Sequence, residues 1–187
     1  LAFGAAETAH AFGASHGLTP IDGSPWQRPE SRSIDFRFKT EDVEIFDPSV
    51  RVTLPESYDS SPDRRYPVLL LLHGGRGMFL DWSREGNVIE ATKGQDVIVV
   101  MPDGGVGSFF MDIHADYKPY KAAWETFIMK HVMPYVHENF RTDPSRMAIA
   151  GLSMGGWGAL ALGQRYYGHF RSISAYSGPS DCRPGSP

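Results

Sequence analysis

Cysteine is almost missing from this chain. The lone Cys182 in 187 residues excludes an intrachain disulfide and any zinc cluster built on cysteines. No run approaches the ~18 apolar residues that a membrane-crossing helix needs, so no transmembrane segment is expected. Basic charge is scarce as well. With 18 Lys and Arg against 22 Asp and Glu, the net charge of −4 gives no footprint for nucleic acid. His and acid spacing offers no helix-borne ligand pair, so neither a metal nor a cofactor is expected. Position 1 is Leu1 and not Met, and Ala9-His10-Ala11 fits a small-x-small cleavage pattern. Export is the expectation, with a cytoplasmic location as the alternative.

What is present is ordinary globular material. Hydrophobic residues at 41% and charged residues at 21% are enough to build the core of one domain. Residues 1–30 are rich in Ala, Gly, Ser and Pro without periodicity and read as an arm or loop, leaving 31–187 as the domain. Ile34–Lys39 alternates apolar and polar residues like a half-exposed edge strand, and Val50–Leu54 repeats the pattern. These two predict an antiparallel opening hairpin or meander.

Val68–Leu72 and Val97–Met101 are continuous apolar runs, as expected of strands covered on both faces by helices. Asp81–Lys93 has room for a helical crossover between them. Trp124, Phe127, Ile128, Val132, Tyr135 and Val136 mark one apolar helix face, which Pro134 is expected to kink. Asp143-Pro144 reads as a turn into the short buried strand Met147–Ala150. A helix from Ser153 to about Tyr167 and a strand at 172–176 follow. The alternation predicts an α/β fold, a mostly parallel sheet with antiparallel N-terminal strands.

Gly151-Leu152-Ser153-Met154-Gly155 is the chemically loaded segment. Gly-x-Ser-x-Gly is short enough to arise by chance, so its context decides. A buried strand runs directly into it and a helix directly out, the setting in which a serine hydroxyl is held out as a nucleophile. A serine that merely caps a helix is the plain alternative. It would leave the glycines at 151, 155, 156 and 158 weakening a helix without return. His73-Gly74-Gly75-Arg76-Gly77 follows the first buried strand, where glycines let backbone N–H groups approach a substrate carbonyl. The N–H of Met154 and that of Gly75 or Arg76 are the expected oxyanion donors.

In this order the motifs are similar to a known group. Leu-Leu-His73-Gly-Gly-Arg, Val-Met-Pro102-Asp-Gly-Gly, Ser108-Phe-Phe-Met-Asp112, Trp124-Glu-Thr-Phe127 and Gly151-Leu-Ser-Met-Gly155 resemble the putative-esterase family, which includes mycolyltransferases and S-formylglutathione hydrolases. The resemblance spans roughly Ile34 to Asp181 and leans towards the mycolyltransferase branch. It implies an α/β-hydrolase three-layer sandwich and acyl-ester chemistry through a serine-bound intermediate. It matches Gly75 and Met154 to the oxyanion donors and Arg76 to an arginine near the acyl-acceptor site. His73 stands where mycolyltransferases carry an acid, a departure from the trehalose-acceptor pattern.

The family places its triad acid and histidine after strands that this sequence does not contain, so the chain is expected to be the N-terminal part, completed by a C-terminal segment or a second chain. Of the internal histidines, His73 and His114 fall on the active side; His73 reads as a supporting residue and His114 as a weak candidate base. Asp103, Asp112 and Asp116 are candidate pocket acids, and Asp181 follows the last strand on the same side. His73, Asp112 and Trp82 are candidate substrate-binding residues. Phe79, Trp82, Phe109 and Phe110 could form an acyl or sugar platform. The expected activity is a serine ester hydrolase on acyl, acetyl or feruloyl-type esters, small or polysaccharide-linked. Its rivals are an acyltransferase to a sugar hydroxyl and a non-catalytic binder on the same scaffold.

Overall fold

The computed structural model describes residues 12–113 and 120–178. Ala9-His10-Ala11, His114, Asp116, Asp181 and Cys182 lie outside these residues. Ten strands and five α-helices appear among the described residues. The strands are β1 (Thr19–Pro20), β2 (Trp26–Arg28), β3 (Ser33–Lys39), β4 (Ser49–Thr53), β5 (Tyr66–Leu72), β6 (Ile98–Pro102), β7 (Asp112–Ile113), β8 (Ala122–Ala123), β9 (Thr142–Leu152) and β10 (Phe170–Tyr176). The helices are α1 (Asp81–Arg84), α2 (Val88–Ala91), α3 (Trp124–Thr126), α4 (Met133–Asn139) and α5 (Met154–Arg165).

The main sheet runs β1-β3-β4-β6-β5-β9-β10, with β2 also paired to β3. Pairing is antiparallel from β1 to β6 and parallel among β6, β5, β9 and β10. Two-sided burial explains the apolar runs. Leu70 and Leu72 enter one core cluster with Val100, Ile149, Phe127 and Met154, whereas Leu71 joins Val99, Met101, Val88 and Ala150 on the other face. Helices on both sides make three layers. No described helix is long and apolar enough to cross a membrane.

Four local readings differ from the structure. The N-terminal stretch is not wholly irregular: β1 and β2 pair with β3, and Leu18 is buried. β3 is not an edge strand, since β4 flanks its other side. Its Asp35 is tolerated at 4% exposure because Arg51 Nε and Nη2 donate to its carboxylate at 2.6 and 2.8 Å and Arg28 Nε at 3.0 Å. The crossover is two four-residue helices, α1 and α2. Asp143-Pro144 lies within β9 as a bulge, where Tyr66 and Val68 pair with Thr142 and Met147. The Asp143 carboxylate closes that bulge by accepting Ser145 N–H at 3.0 Å and Arg146 Nε at 2.6 Å.

Pro134 occupies the first turn of α4, and the helix before it, Phe127–Val132, is π-helical. Met133 N–H reaches back five residues to Ile128 O. A proline cannot donate to the carbonyl four residues back, and this change of register accommodates the loss.

Candidate active site

The end of β9 and the start of α5 leave a single residue between them, Ser153. Its φ of 55° and ψ of −117° belong to neither element, so the side chain leaves the line of both and is exposed. Ser153 N–H donates to Tyr176 O at the end of β10 (2.8 Å), and its carbonyl accepts Trp157 N–H at 3.1 Å. Glycines make this turn possible by what they omit. A Cβ on Gly151 would lie 2.1 Å from Gly155 O, and one on Gly155 would lie 2.3 Å from Leu72 O. The first turn of α5 therefore sits against the end of β5. Met154 N–H is in that turn and has no intrahelical carbonyl to bind.

The loop after β5 comes alongside. Leu72 pairs with Gly151 in parallel register, which brings the following glycines level with Ser153. A methyl group on Gly75 would be 3.8 Å from Met154 Cβ, and one on Gly74 would be 3.9 Å from Leu152 O. Gly77 N–H closes the turn onto Gly74 O at 3.0 Å, and Gly107 N–H holds Gly75 O at 3.1 Å. The second bond fixes the plane of the Gly75–Arg76 peptide, so this backbone is ordered before any ligand arrives. Arg76 is exposed, and no described carboxylate is within salt-bridge range.

His73 lies beneath the loop, 2% exposed. Its Nε2 accepts the Gly104 N–H at 2.9 Å, which leaves the proton on Nδ1 to be donated to Gly74 O at 2.7 Å. Burial pushes its pKa below the ordinary value, only partly offset by that carbonyl and by Asp103. It is a neutral tie between two loops. Asp103 plays a related part, accepting Ser49 N–H at 2.8 Å and Phe79 N–H at 2.9 Å, while burial pushes its pKa up.

The other candidates are spread more widely. Trp82 packs on the smaller core cluster and donates its ring N–H to Leu72 O at 3.1 Å. Asp112 accepts Thr126 N–H at 2.9 Å and Thr126 Oγ1–H at 2.7 Å, capping α3. Of the four aromatics read as a platform, Phe110 is fully buried, Phe79 and Trp82 are half-buried, and Phe109 is exposed. Phe109 meets Trp157, a residue missed in the sequence although it lies four positions after Ser153 on the same helix face. No described histidine other than His73 reaches this end of the sheet. His16 pairs with Glu138, His131 with Asp42 and His137 with Thr142, while His169 lies beyond the far end of α5.

Residues 46–185 match the family described as "Putative esterase". The chain belongs to that family. Among curated relatives of this esterase-family chain, an esterase of Mycobacterium tuberculosis is 40% identical over 152 residues, covering 79% of this chain and 32% of the relative. The diacylglycerol acyltransferase/mycolyltransferase of Mycobacterium leprae is 33% identical over 123 residues, covering 62% and 37%. The chain thus spans about a third of the length of these relatives. A solved ferulic acid esterase superposes with a TM-score of 0.68 at 28% identity over 78% of this chain and 57% of its own. An S-formylglutathione hydrolase from Agrobacterium tumefaciens gives 0.68 at 18% identity, covering 89% and 60%, a likeness of fold. The architecture is that of the α/β-hydrolases.

Proposed function

We propose that the chain carries the nucleophile half of an ester hydrolase, with Ser153 as the acyl-accepting residue. One observation carries the reading: an exposed serine at positive φ, between a buried strand and a helix, beside a glycine loop held by its own hydrogen bonds. Ser153 Oγ attacks the ester carbonyl carbon and gives its proton to a general base. The electron pair moves to the carbonyl oxygen, where the N–H of Met154 and that of Gly75 or Arg76 stabilise it; each such donor is worth roughly 3 kcal/mol. Collapse expels the alcohol with the returned proton and leaves an acyl-serine. Water, activated by the same base, then releases the acid.

The base comes from outside the described residues. His73 has both ring nitrogens engaged with backbone, His16, His131 and His137 are paired elsewhere, and His169 lies beyond the far end of α5. A complementing C-terminal segment or second chain is the proposed source. The substrate class is a carboxylic ester, acetyl, longer acyl or feruloyl-type, free or polysaccharide-linked. The ferulic acid esterase likeness supports it, as does the 40% identity to the mycobacterial esterase.

A second reading, acyl transfer to a sugar hydroxyl in place of water, is favoured by the identity to the mycolyltransferase and by the exposed Arg76 beside the loop. Product analysis with and without an added sugar separates the two. The primary test is a fluorophosphonate probe followed by peptide mass spectrometry. Labelling at Ser153 that Ser153→Ala abolishes is expected. An unlabelled intact protein overturns the reading in favour of a binder.

A further inference from the structure

The end of the sheet opposite Ser153 holds a cleft of about 900 Å³. Its walls stand where the parallel strands begin. Arg65 precedes β5, Arg141 precedes β9, and Phe140 follows α4. Ile34 at the start of β3, with Leu54 and Tyr58 after β4, lines the other side. β9 is 11 residues long, which at ~3.3 Å per residue sets roughly 30 Å between this cleft and Ser153. The segment proposed to complete the Ser153 site is needed at the other end, and that chemistry uses none of these residues.

Arginines dominate the polar lining. Arg32, Arg65 and Arg141 all line the cleft, and no described carboxylate is within salt-bridge range of any of them. Arg32 is engaged with Leu54 O and Ile89 O at 3.0 and 2.7 Å, and Arg65 gives one N–H to Thr142 O at 3.1 Å. Arg65 and Arg141 are neighbours, because Tyr66 pairs with Thr142 where β5 and β9 begin. The Arg141 guanidinium lies 3.7 Å from the centroid of the Tyr58 ring and donates from Nη2 to Tyr58 O. Its Nε–H is buried with no acceptor among the described residues. Native proteins rarely carry a buried charged donor that has no use.

Carboxylates limit the excess charge. Glu56 accepts Gly94 N–H, Glu138 is engaged with Ser15 and His16, and Asp59 is exposed. Counting Arg28, four lining arginines meet three lining carboxylates, one positive charge in excess. That balance suits a monoanion.

We propose that this cleft binds a monocarboxylate with an apolar tail, its head at Arg65 and Arg141 and its tail against Leu54, Tyr58 and Phe140. A guanidinium presents parallel N–H groups that match the two carboxylate oxygens, and Arg141 does so without leaving the tyrosine ring. The apolar walls hold a carbon chain, whereas a bare inorganic anion leaves them unfilled. The proposal does not depend on Ser153 being a nucleophile.

Octanoate, octanol and octylammonium share a tail and differ in head charge. Titration calorimetry on the intact protein is expected to show octanoate binding about tenfold more tightly than either of the others. Arg65→Gln, at an exposed position, should weaken octanoate about threefold, and Arg141→Met about tenfold or more. NOEs are expected from the octanoate tail to the Tyr58 and Phe140 rings, a readout independent of any variant. Ser153→Ala should leave the Kd unchanged. Equal binding of the three heads, or none, overturns the cleft as a carboxylate site. So does octanoate binding that Ser153→Ala abolishes, or that both arginine variants leave intact. Binding that appears only after residues 1–11 are deleted also overturns it, in favour of the chain's own N-terminal segment as the occupant.

Discussion

The ring of His73 joins the two loops that flank Ser153, taking the Gly104 N–H on Nε2 at 2.9 Å and giving its own proton to Gly74 O at 2.7 Å. Only neutral imidazole can do both, because the protonated ring has no acceptor. The sign of the linkage follows. Its folded pKa is depressed below 6.5 by burial, so the unfolded chain binds the proton first as pH falls. The stability it contributes is present above that unfolded value and is lost as pH falls through the folded one. Thermal denaturation between about pH 7.5 and 5 should show a falling Tm. His137, also depressed by burial, adds the same sign, while Asp103, raised by burial, favours acid. His73→Phe, which cannot titrate, should flatten the His73 part of the slope. It should also cost about 1–3 kcal/mol by leaving the Gly104 N–H unpaired. A pH slope unchanged in that variant would remove His73 from the account.

Ser153 gives a prediction in which stability and activity move in opposite directions. Replacing a non-glycine residue at φ 55° with glycine should stabilise the fold by about 1 kcal/mol. Ser153→Gly is therefore expected to raise the denaturant midpoint while losing probe labelling and ester turnover. A lowered midpoint would show that the turn is not strained.

Gly155 tests the contact between α5 and β5. A Cβ there would stand 2.3 Å from Leu72 O and 2.6 Å from His73 O, both backbone atoms that cannot rotate away. Gly155→Ala must push the first turn of α5 off the glycine loop, at roughly 1–3 kcal/mol of overpacking. Probe labelling should slow by more than the fraction unfolded explains. Labelling at the wild-type rate would mean that the Met154 amide and the loop need not be close.

Asp35 provides the control far from the site. Its carboxylate is 6% exposed against Arg51 at 11%, a charge pair buried on both sides. Asp35→Ala should cost about 3–5 kcal/mol by stranding the guanidinium. At a temperature where the variant remains folded, Ser153 labelling should be unchanged. The two readouts, chemical denaturation and labelling rate, separate scaffold from chemistry.

The outcome at individual residues shows what could be read in advance. Val68–Leu72 announced a doubly covered strand because an element with helices on both faces has no polar side to show, and Leu70 and Leu71 do bury into different clusters. Gly151, Ser153 and Gly155 announced their turn because close backbone approach admits few residues. Asp35 misled because alternation signals an exposed face only when the polar residue lacks a buried partner, and Arg51 lies sixteen residues away. Trp82 in α1 and Asp112 in β7 follow the active-side ends of β5 and β6, yet hydrogen bonds to Leu72 and Thr126 give both a structural use.

By itself the amino-acid order determined the strand–serine–helix segment, the glycine loop and the mostly parallel α/β arrangement, all of which are local patterns written in consecutive side chains. Only the tertiary structure decided that His73 is a neutral tie, that β3 lies inside the sheet and that Phe109 meets Trp157. Those outcomes depend on which distant atoms a residue meets: His73 and Gly104 are 31 residues apart, Phe109 and Trp157 are 48 apart, and β3 pairs with β4 and β1 at separations of 12 to 20. Spacing along the chain carries no measure of that distance.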